Sequence, residues 1–399
     1  MMRITEINKT FDVDVNLVGS KSESNRALMI GYYGGFAPRI HNLSESDDTQ
    51  LLCRILKSLP VETMCTSSLQ NAPIINCANA GTVLRFLATA LSFRDGDFIL
   101  TGSDRMLQRP IGDLVDALRT MGAKIEYMGQ EGFPPLKING TPIVTTMCTS
   151  SLPINIDISR SSQFASSILL AMPIVETFPE TSHIVHLDGD LSSVPYIDLT
   201  IDIMQKFGIK IHRDGRDVYL QPSEYQDVEY TVESDWTCAS YWYEMVAFSE
   251  NGRARLRNLH LDSKQGDAIV AKWFEKFGVS SVQDGNDIII GKNRMIFSND
   301  LSFDFTNNPD LYPTIAATCA GLNIEGRFTG LQNLKFKESD RVAAMTTELS
   351  KINKFDSHDD HRIAMALTPL AMKIGDIEIN NAEVVSKSYP NFWKDIALL

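Results

Sequence analysis

One order of apolar and polar positions recurs three times along this chain of 399 residues. In residues 113–122, Leu114, Val115, Ala117, Leu118 and Met121 fall on one helical face, Gly122 ends the run, and a strand-like segment follows to Tyr127. The same reading applies to residues 197–208, closed by Gly208, and to 267–278, closed by Gly278. The latter two continue into Asp214-Gly215 and Asp284-Gly285 and then into apolar runs at 218–220 and 288–290. The spacing predicts helix, glycine C-cap, strand, tight turn, strand.

Weaker helical patterns begin near Asp47 and Asp340, and strand-like runs at 98–101, 183–187 and 255–260 precede or separate the helices. A second helix type, at 80–91, 163–171 and 313–320, is apolar and rich in Ala, Ser and Thr, which predicts closely packed central helices. Repetition of a β-α-β-β order implies an α/β protein of several small sheets with helices packed between them. The polar stretch 221–230, broken by Pro222, reads as a crossing between two halves, and 142–153 reads as an insertion.

Composition narrows the class. The chain carries 37 basic and 50 acidic residues, a net charge of −13, which argues against a nucleic-acid surface but not against a small phosphorylated metabolite. No apolar run reaches membrane-spanning length; the segment 311–322 is short and contains Pro313. The start lacks a secretory pattern, so a cytoplasmic location is expected. Cysteines at 53, 65, 77, 148, 238 and 319 are scattered without ligand-like spacing, which reads as reduced thiols and no zinc site. The phosphate loop of nucleotide hydrolases, the dinucleotide glycine signature, the zincin motif and the nucleophile elbow are all missing from the sequence.

Polar clusters stand at the helix starts. Gly19-Ser20-Lys21-Ser22-Glu23-Ser24-Asn25-Arg26 reads as a polar loop running into the apolar 27–30, Asn79-Ala80-Gly81-Thr82 precedes one central helix, and Ser159-Arg160-Ser161-Ser162-Gln163 precedes another. Free N–H groups at a helix start can take a phosphate or carboxylate; ordinary N-capping is the alternative. Further basic residues gather in polar breaks: Arg105 and Arg109, the group Lys337-Glu338-Ser339-Asp340-Arg341, the group Asp359-Asp360-His361-Arg362, and Lys387. Each could be a surface ion pair, yet together they suit more than one anionic substrate. Asp310, Glu338 and His361 are the acid–base candidates, although Asp310 alone also reads as a capping residue.

Taken in order, these motifs resemble the 5-enolpyruvylshikimate-3-phosphate synthase family over almost the full length. The resemblance rests on 19–26, 79–82, Arg105 with Arg109-Pro110, Ser161-Ser162-Gln163, Ser193-Val194-Pro195-Tyr196, Pro309-Asp310, Asn333 with 337–341, Asp360-His361-Arg362 and Ser386-Lys387. It implies two globular domains, each of three βαβαββ units, with an active-site cleft between them. One domain would hold 1–14 and 231–399, with mainly phosphoenolpyruvate and catalytic groups; the other, 15–230, would mainly hold shikimate 3-phosphate.

The implied activity moves the enolpyruvyl group of phosphoenolpyruvate to the 5-hydroxyl of shikimate 3-phosphate, releasing phosphate. By that likeness Ser22, Arg26, Ser161, Ser162, Gln163, Ser193, Asp310, Asn333 and Lys337 position shikimate 3-phosphate. Lys21, Gly81, Arg109, Gln163, Arg341, Arg362 and Lys387 surround phosphoenolpyruvate, with Asn79 and Thr82 beside Gly81. Lys21, Asp310, Glu338 and His361 are the implied catalytic set. Neither a metal nor an organic cofactor is implied, and the expected partners are the two small molecules alone, with no nucleic acid or membrane and a monomeric chain. Phe86 and Val194 depart from the Pro and Lys usual at their positions, and 55–78 is shorter than its counterpart. A transferase acting on UDP-N-acetylglucosamine and a non-catalytic phosphometabolite-binding protein are the alternatives; the first usually starts Lys-Asn and carries a loop cysteine, whereas here Ser22 follows Lys21 and no Cys lies between Arg105 and Pro110.

Overall fold

Two stretches fold as the same β-α-β-α-β-β unit. In the first, Ile74–Asn76, Gly96–Thr101, Leu136–Gly140 and Lys124–Tyr127 form a sheet in that spatial order, parallel at the first pair and antiparallel afterwards. Its helices are Gly81–Ser92 and Gly112–Thr120. In the second, Ile154–Asp157, His183–Asp188, Asp217–Leu220 and Ile211–Asp214 repeat the order and directions, with helices Gln163–Ala171 and Val194–Lys206.

A third sheet has the same form with a substituted first strand. Thr10–Val15, from the start of the chain, lies parallel to Asn251–Leu256, followed by Asp287–Lys292 and Val279–Asp284. Smaller sheets complete the set: Ser302–Asp304 with Arg327–Thr329, the trio Met2–Ile4, Ile377–Asn380 and Lys354–Asp356, and Arg39–His41 with Glu229–Thr231. The strand expected at 255–260 therefore sits earlier, at Asn251–Leu256, because its pairing with Thr10–Val15 ends at Val15.

This computed structural model describes residues 1–5, 7–59, 72–141, 153–174, 183–293 and 301–399. Cys65, Cys148, nearly all of the insertion at 142–153 and the middle of 55–78 lie outside the described residues. The chain divides into two compact units, one of Met1–Lys21, Asn42–Asp47 and Thr231–Leu399, the other of Ser22–His41 and Asp48–Tyr230.

Turn chemistry explains the repeats. Gly122, Gly208 and Gly278 all adopt positive φ (93°, 90° and 77°), the left-handed conformation that closes a helix without a Cβ penalty. The two hairpins differ in detail from the sequence reading. Asp214 pairs with Asp217 and Asp284 with Asp287, so the two-residue loops are Gly215-Arg216 and Gly285-Asn286. Gly stands first, at φ 56° and 62°, as a type II′ turn requires.

The polar run 19–26 is not a loop leading into a helix at Ala27. The helix is Lys21–Gly34, and Glu23, Ser24, Asn25 and Arg26 are buried within its first turns. They are tolerated because they find partners: Tyr230 donates to Glu23 (2.8 Å), Thr49 to Asn25 (2.9 Å), and Arg26 to Thr200 (2.7 Å). Gly19 before it is compulsory, since a Cβ there would lie 2.0 Å from the carbonyl oxygen of Asn42.

Small residues pack the central helices of the second unit closely. Thr89 and Ser167 share a hydrogen bond of 2.5 Å, and Ser167 also donates to the carbonyl of Arg85 (2.8 Å). The first unit is organised around Trp236–Phe248, every residue of which is buried. An all-round buried helix carries no amphipathic stripe, so its sequence offers no periodicity to read. Within it Glu244 is wholly buried, neither carboxylate oxygen has a hydrogen-bond partner among the described residues, and burial holds its pKa well above the usual range.

Candidate active site

In the first unit, a mixed-charge cluster forms around Arg341, which opens the helix Arg341–Leu349 and is 1% exposed. Its guanidinium donates to three carboxylates. Nε and Nη2 reach both oxygens of Asp360 (2.8 and 3.2 Å), Nη1 reaches Asp310 (2.6 Å), and Nη2 reaches Glu338 (3.0 Å). Burial lowers the affinity of Arg341 for its proton, but Asp360, Asp310 and Glu338 outweigh it and the net shift is upward.

Asp310 lies in the turn Pro309–Leu311 ahead of the helix Tyr312–Gly321. It also accepts from Arg362 (2.8 Å) and pairs with Lys337 (3.2 Å). Burial favours its neutral form, yet Arg362, Lys337 and Arg341 together hold it well below the usual carboxylate range. It is not a cap: its carboxylate is committed to cations, while Asp340 caps Arg341–Leu349 through the N–H of Ala343 (3.2 Å). Lys337 is itself pushed down, chiefly by burial.

Two left-handed residues, His358 and Asp359 (φ 51° and 54°), turn the chain into the helix His361–Leu367, and Asp360 caps it by accepting from the N–H of Arg362 (3.0 Å). His361 is 1% exposed, and neither ring nitrogen has a hydrogen-bond partner among the described residues. Burial first, then Lys21, Arg362 and Lys387, hold its pKa well below the ordinary value, so the ring is neutral at pH 7. Lys21 is placed by its backbone N–H, which donates to Asp235 (3.2 Å), the N-cap of the buried helix Trp236–Phe248. Lys387 ends the turn Ala382–Lys387, and Asn333 lies in the turn Gln332–Phe336 that leads to Lys337.

In the second unit, two guanidiniums converge on the start of the helix Gly81–Ser92. A Cβ on Gly81 would lie 2.8 Å from both Arg109 Nη2 and Arg85 Nη1, so only glycine lets them approach so closely. Arg109 donates to the carbonyl of Asn79 (3.2 Å). Arg85 donates to Gln163 (2.5 Å), and Gln163 donates to Thr82 (2.8 Å), which ties the starts of Gly81–Ser92 and Gln163–Ala171 together. Neither helix has a side-chain cap at its N-cap position, Ala80 or Ser162, so the capping alternative does not describe these two residues. Ser161 accepts from the N–H of Gln163 (3.3 Å). Ser193, at the start of Val194–Lys206, holds a left-handed conformation (φ 56°, ψ 32°), a geometry rare for non-glycine residues.

Arg26 is held inside the second unit. It is 2% exposed and donates to Thr200 (2.7 Å), Ser166 (3.1 Å) and the carbonyls of Ser22 (2.9 Å) and Tyr196 (3.1 Å). Burial pulls its pKa down to about 10. Phe86 lies under its guanidinium, 5.7 Å from ring centroid to Cζ, so that departure from the usual Pro packs a cation. Arg105 contacts Gln108 at 3.4 Å.

Arg85, Asp235 and Asp360 stand in these clusters with no role implied by the sequence. Arg85 could have been found from its place four residues after Gly81, on the same helical face. An Asp before the apolar 236–248 run is a helix-start signal. Among the described residues no group of three or more His, Cys, Asp or Glu could hold a metal, and no helix is long and apolar enough to cross a membrane.

Repeated βαβαββ sheets and carboxylates set among buried cations define an α/β protein equipped for small, multiply anionic molecules. The family profile described as EPSP synthase (3-phosphoshikimate 1-carboxyvinyltransferase) matches residues 5–354 and 352–396, and the chain belongs to that family. It is 37% identical to a 3-phosphoshikimate 1-carboxyvinyltransferase of Bacteroides fragilis, covering 96% of this chain and 94% of that one. Against the Vibrio vulnificus enzyme of the same name the identity is 34%, with coverage of 98% and 97%. A solved structure of EPSP synthase from Acinetobacter baumannii shares the fold at a TM-score of 0.72 and 22% identity, over 99% of this chain and 97% of that one.

Proposed function

We propose that this chain transfers the enolpyruvyl group of phosphoenolpyruvate to the 5-hydroxyl of shikimate 3-phosphate, the step of the shikimate pathway that leads towards chorismate and the aromatic amino acids. Family membership supplies the reaction class. The observation that carries the chemistry is that Asp310 and Glu338 share the Arg341 guanidinium while Asp310 also faces Arg362 and Lys337.

The reaction needs two proton movements and charge neutralisation. In the addition step the methylene carbon of phosphoenolpyruvate gains a proton from Glu338 or Lys21, and the 5-oxygen bonds to C2 as its proton passes to Asp310. In the elimination step the C2–O bond to phosphate breaks as a methyl proton returns to the group that supplied it, Glu338 or Lys21, and the double bond re-forms; the proton held by Asp310 leaves with the phosphate. Arg341, Arg362 and Lys387, with Arg109 at the Gly81 helix start, neutralise the carboxylate and phosphate. Anionic substrate groups compete with Asp310 for Arg341 and Arg362, and each cation drawn away makes Asp310 a stronger base. His361, neutral at pH 7, acts as a hydrogen-bonding group rather than as an acid.

Ser22, Ser161, Ser162, Gln163, Ser193, Asn333 and Lys337 hold shikimate 3-phosphate, with Arg26 fixing Ser22 and Tyr196 from behind. Gly81, with Asn79 and Thr82 on either side, receives phosphoenolpyruvate. On this reading the segments 1–14 and 231–399 contribute most of the catalytic groups and 15–230 most of the shikimate-phosphate contacts. Both substrates are charged metabolites that do not cross membranes unaided, which supports a cytoplasmic enzyme; we place it there as a monomer that binds no nucleic acid. The names of the relatives support shikimate phosphate over the nucleotide sugar as acceptor. The test is phosphate release from phosphoenolpyruvate with each acceptor: release with shikimate 3-phosphate is expected, and release with UDP-N-acetylglucosamine alone overturns the reading.

A further inference from the structure

Beside Asp310 stands a second buried carboxylate that the reaction outlined above leaves unused. Asp267 lies in the turn Gly266–Ile269 and is 4% exposed. One of its oxygens accepts from Thr237 Oγ1 (2.5 Å), on the buried helix Trp236–Phe248; the other accepts from Asn308 Nδ2 (3.2 Å). Asn308, itself buried, is the N-cap residue of Pro309–Leu311, the turn whose middle residue is Asp310. The side chain of Asp267 therefore fixes the start of the segment that aims Asp310.

Resting on the reading of Asp310 as acceptor of the hydroxyl proton, we propose that Asp267 is a positioning residue for Asp310: it anchors the turn through Asn308, and its negative charge strengthens Asp310 as a base.

The electrostatics give this a reason. Asp310 faces Arg362, Lys337, Arg341 and Glu338, and the three cations leave it a poor proton acceptor. A second negative charge close by opposes those cations. Asp267 faces Asp310 and Arg362, with Thr237 and Asn308 as its hydrogen-bond donors. Burial, reinforced by the charge of Asp310, raises its pKa to about 6, against the opposing pull of Thr237, Arg362 and Asn308. Two carboxylates pushed apart in this way divide their roles: one stays ionised, the other gains its charge only near neutrality. Asp267 is thus silent in mild acid and active at pH 7.

The experiment compares kcat of the wild type with Asp267→Asn and Thr237→Val across pH 5 to 7.5, at saturating phosphoenolpyruvate and shikimate 3-phosphate. Substrate phosphates also titrate near pH 6, but they are common to all three proteins and cancel in the ratio. The wild-type/D267N ratio is expected to be near one at pH 5 and to rise about tenfold by pH 7.5, with each KM changed less than about threefold. T237V removes a hydrogen bond that favours the ionised Asp267, so its deficit should appear near pH 6 to 7 and close again at higher pH. A ratio that does not change with pH, in folded variants, overturns the proposal and leaves Asp267 a packing residue.

Thermal melts without substrate separate this claim from the reaction assignment. A buried acid with a raised pKa costs stability as pH rises from about 3.8 to about 6. The melting temperature of D267N should therefore gain on the wild type across that window, whichever substrates are turned over. Parallel melting curves contradict an ionising Asp267 even if turnover is as assigned; absence of turnover with an opening gap sinks the reaction assignment instead.

Discussion

Replacing Arg341 by Met removes one charge and little volume from the centre of the cluster. Arg341 is 1% exposed and serves three carboxylates, but these do not lose equally. Asp310 keeps Arg362 at 2.8 Å and Lys337 at 3.2 Å. Asp360 keeps Ser339 (3.0 Å) and the N–H of Arg362 (3.0 Å), and loses a cation that contacts both its oxygens. The loss should thus resemble that of one orphaned buried carboxylate, about 3–5 kcal/mol, rather than three times as much. Set against a typical stability of 5–15 kcal/mol, this is a large share. At about 2–4 °C per kcal/mol for a unit of this size, the melting temperature at pH 7 should fall by about 6–20 °C. Scanning calorimetry of the wild type, R341M and R341M/D360N reads all of this, and the double variant should recover most of the loss. A single variant melting within about 2 °C of the wild type at pH 7, or a double variant no better than the single, refutes the account of Asp360 as the dependent partner.

Two further outcomes follow from buried positions outside that network. Glu244 has no hydrogen-bond partner among the described residues and a pKa raised by burial; its ionisation in the folded state is penalised, so wild-type stability declines as pH climbs above about 4.5. Glu244→Gln mimics the protonated acid, and its melting temperature should gain on the wild type as pH rises; parallel curves from pH 4 to 8 count against it. Gly81→Ala puts a methyl group 2.8 Å from the ends of Arg85 and Arg109, which are flexible tips and can retreat without unfolding the helix. Losing one charge-assisted contact costs about 1.5–3 kcal/mol, so KM for phosphoenolpyruvate should rise about tenfold or more with little change in melting temperature. Steady-state kinetics showing an unaltered KM removes the Gly81 helix start from the phosphoenolpyruvate site.

The repeated unit was legible because its punctuation is local. Gly122, Gly208 and Gly278 end helices for a reason that no distant contact overrides: each needs positive φ. The first strand of the third sheet was not legible, since Thr10–Val15 meets Asn251–Leu256 across most of the chain. The helix Trp236–Phe248 was missed because burial on every side erases periodicity, and a hidden helix also hid Asp235 at its cap. Among site residues, the sequence brings Asp310, Glu338, Arg341 and Arg362 forward as charges in polar breaks. Only the fold shows that they answer to one another, that Asp360 is bound to Arg341, and that Arg26 is committed to Thr200, Ser166 and two carbonyls. Long-range pairing of buried charges leaves no spacing signature.

Enolpyruvyl transfer breaks the carbon–oxygen bond of phosphoenolpyruvate, not its phosphorus–oxygen bond. Phosphoenolpyruvate labelled with oxygen-18 at the bridging position, turned over with shikimate 3-phosphate, distinguishes the two by mass spectrometry of the phosphate released. Addition at C2 followed by elimination sends the bridging oxygen out with phosphate, so all of the label should appear there and none in the enolpyruvyl product. Unlabelled phosphate, with the oxygen-18 retained on the three-carbon fragment, contradicts enolpyruvyl transfer and the roles assigned to Lys21, Asp310 and Glu338.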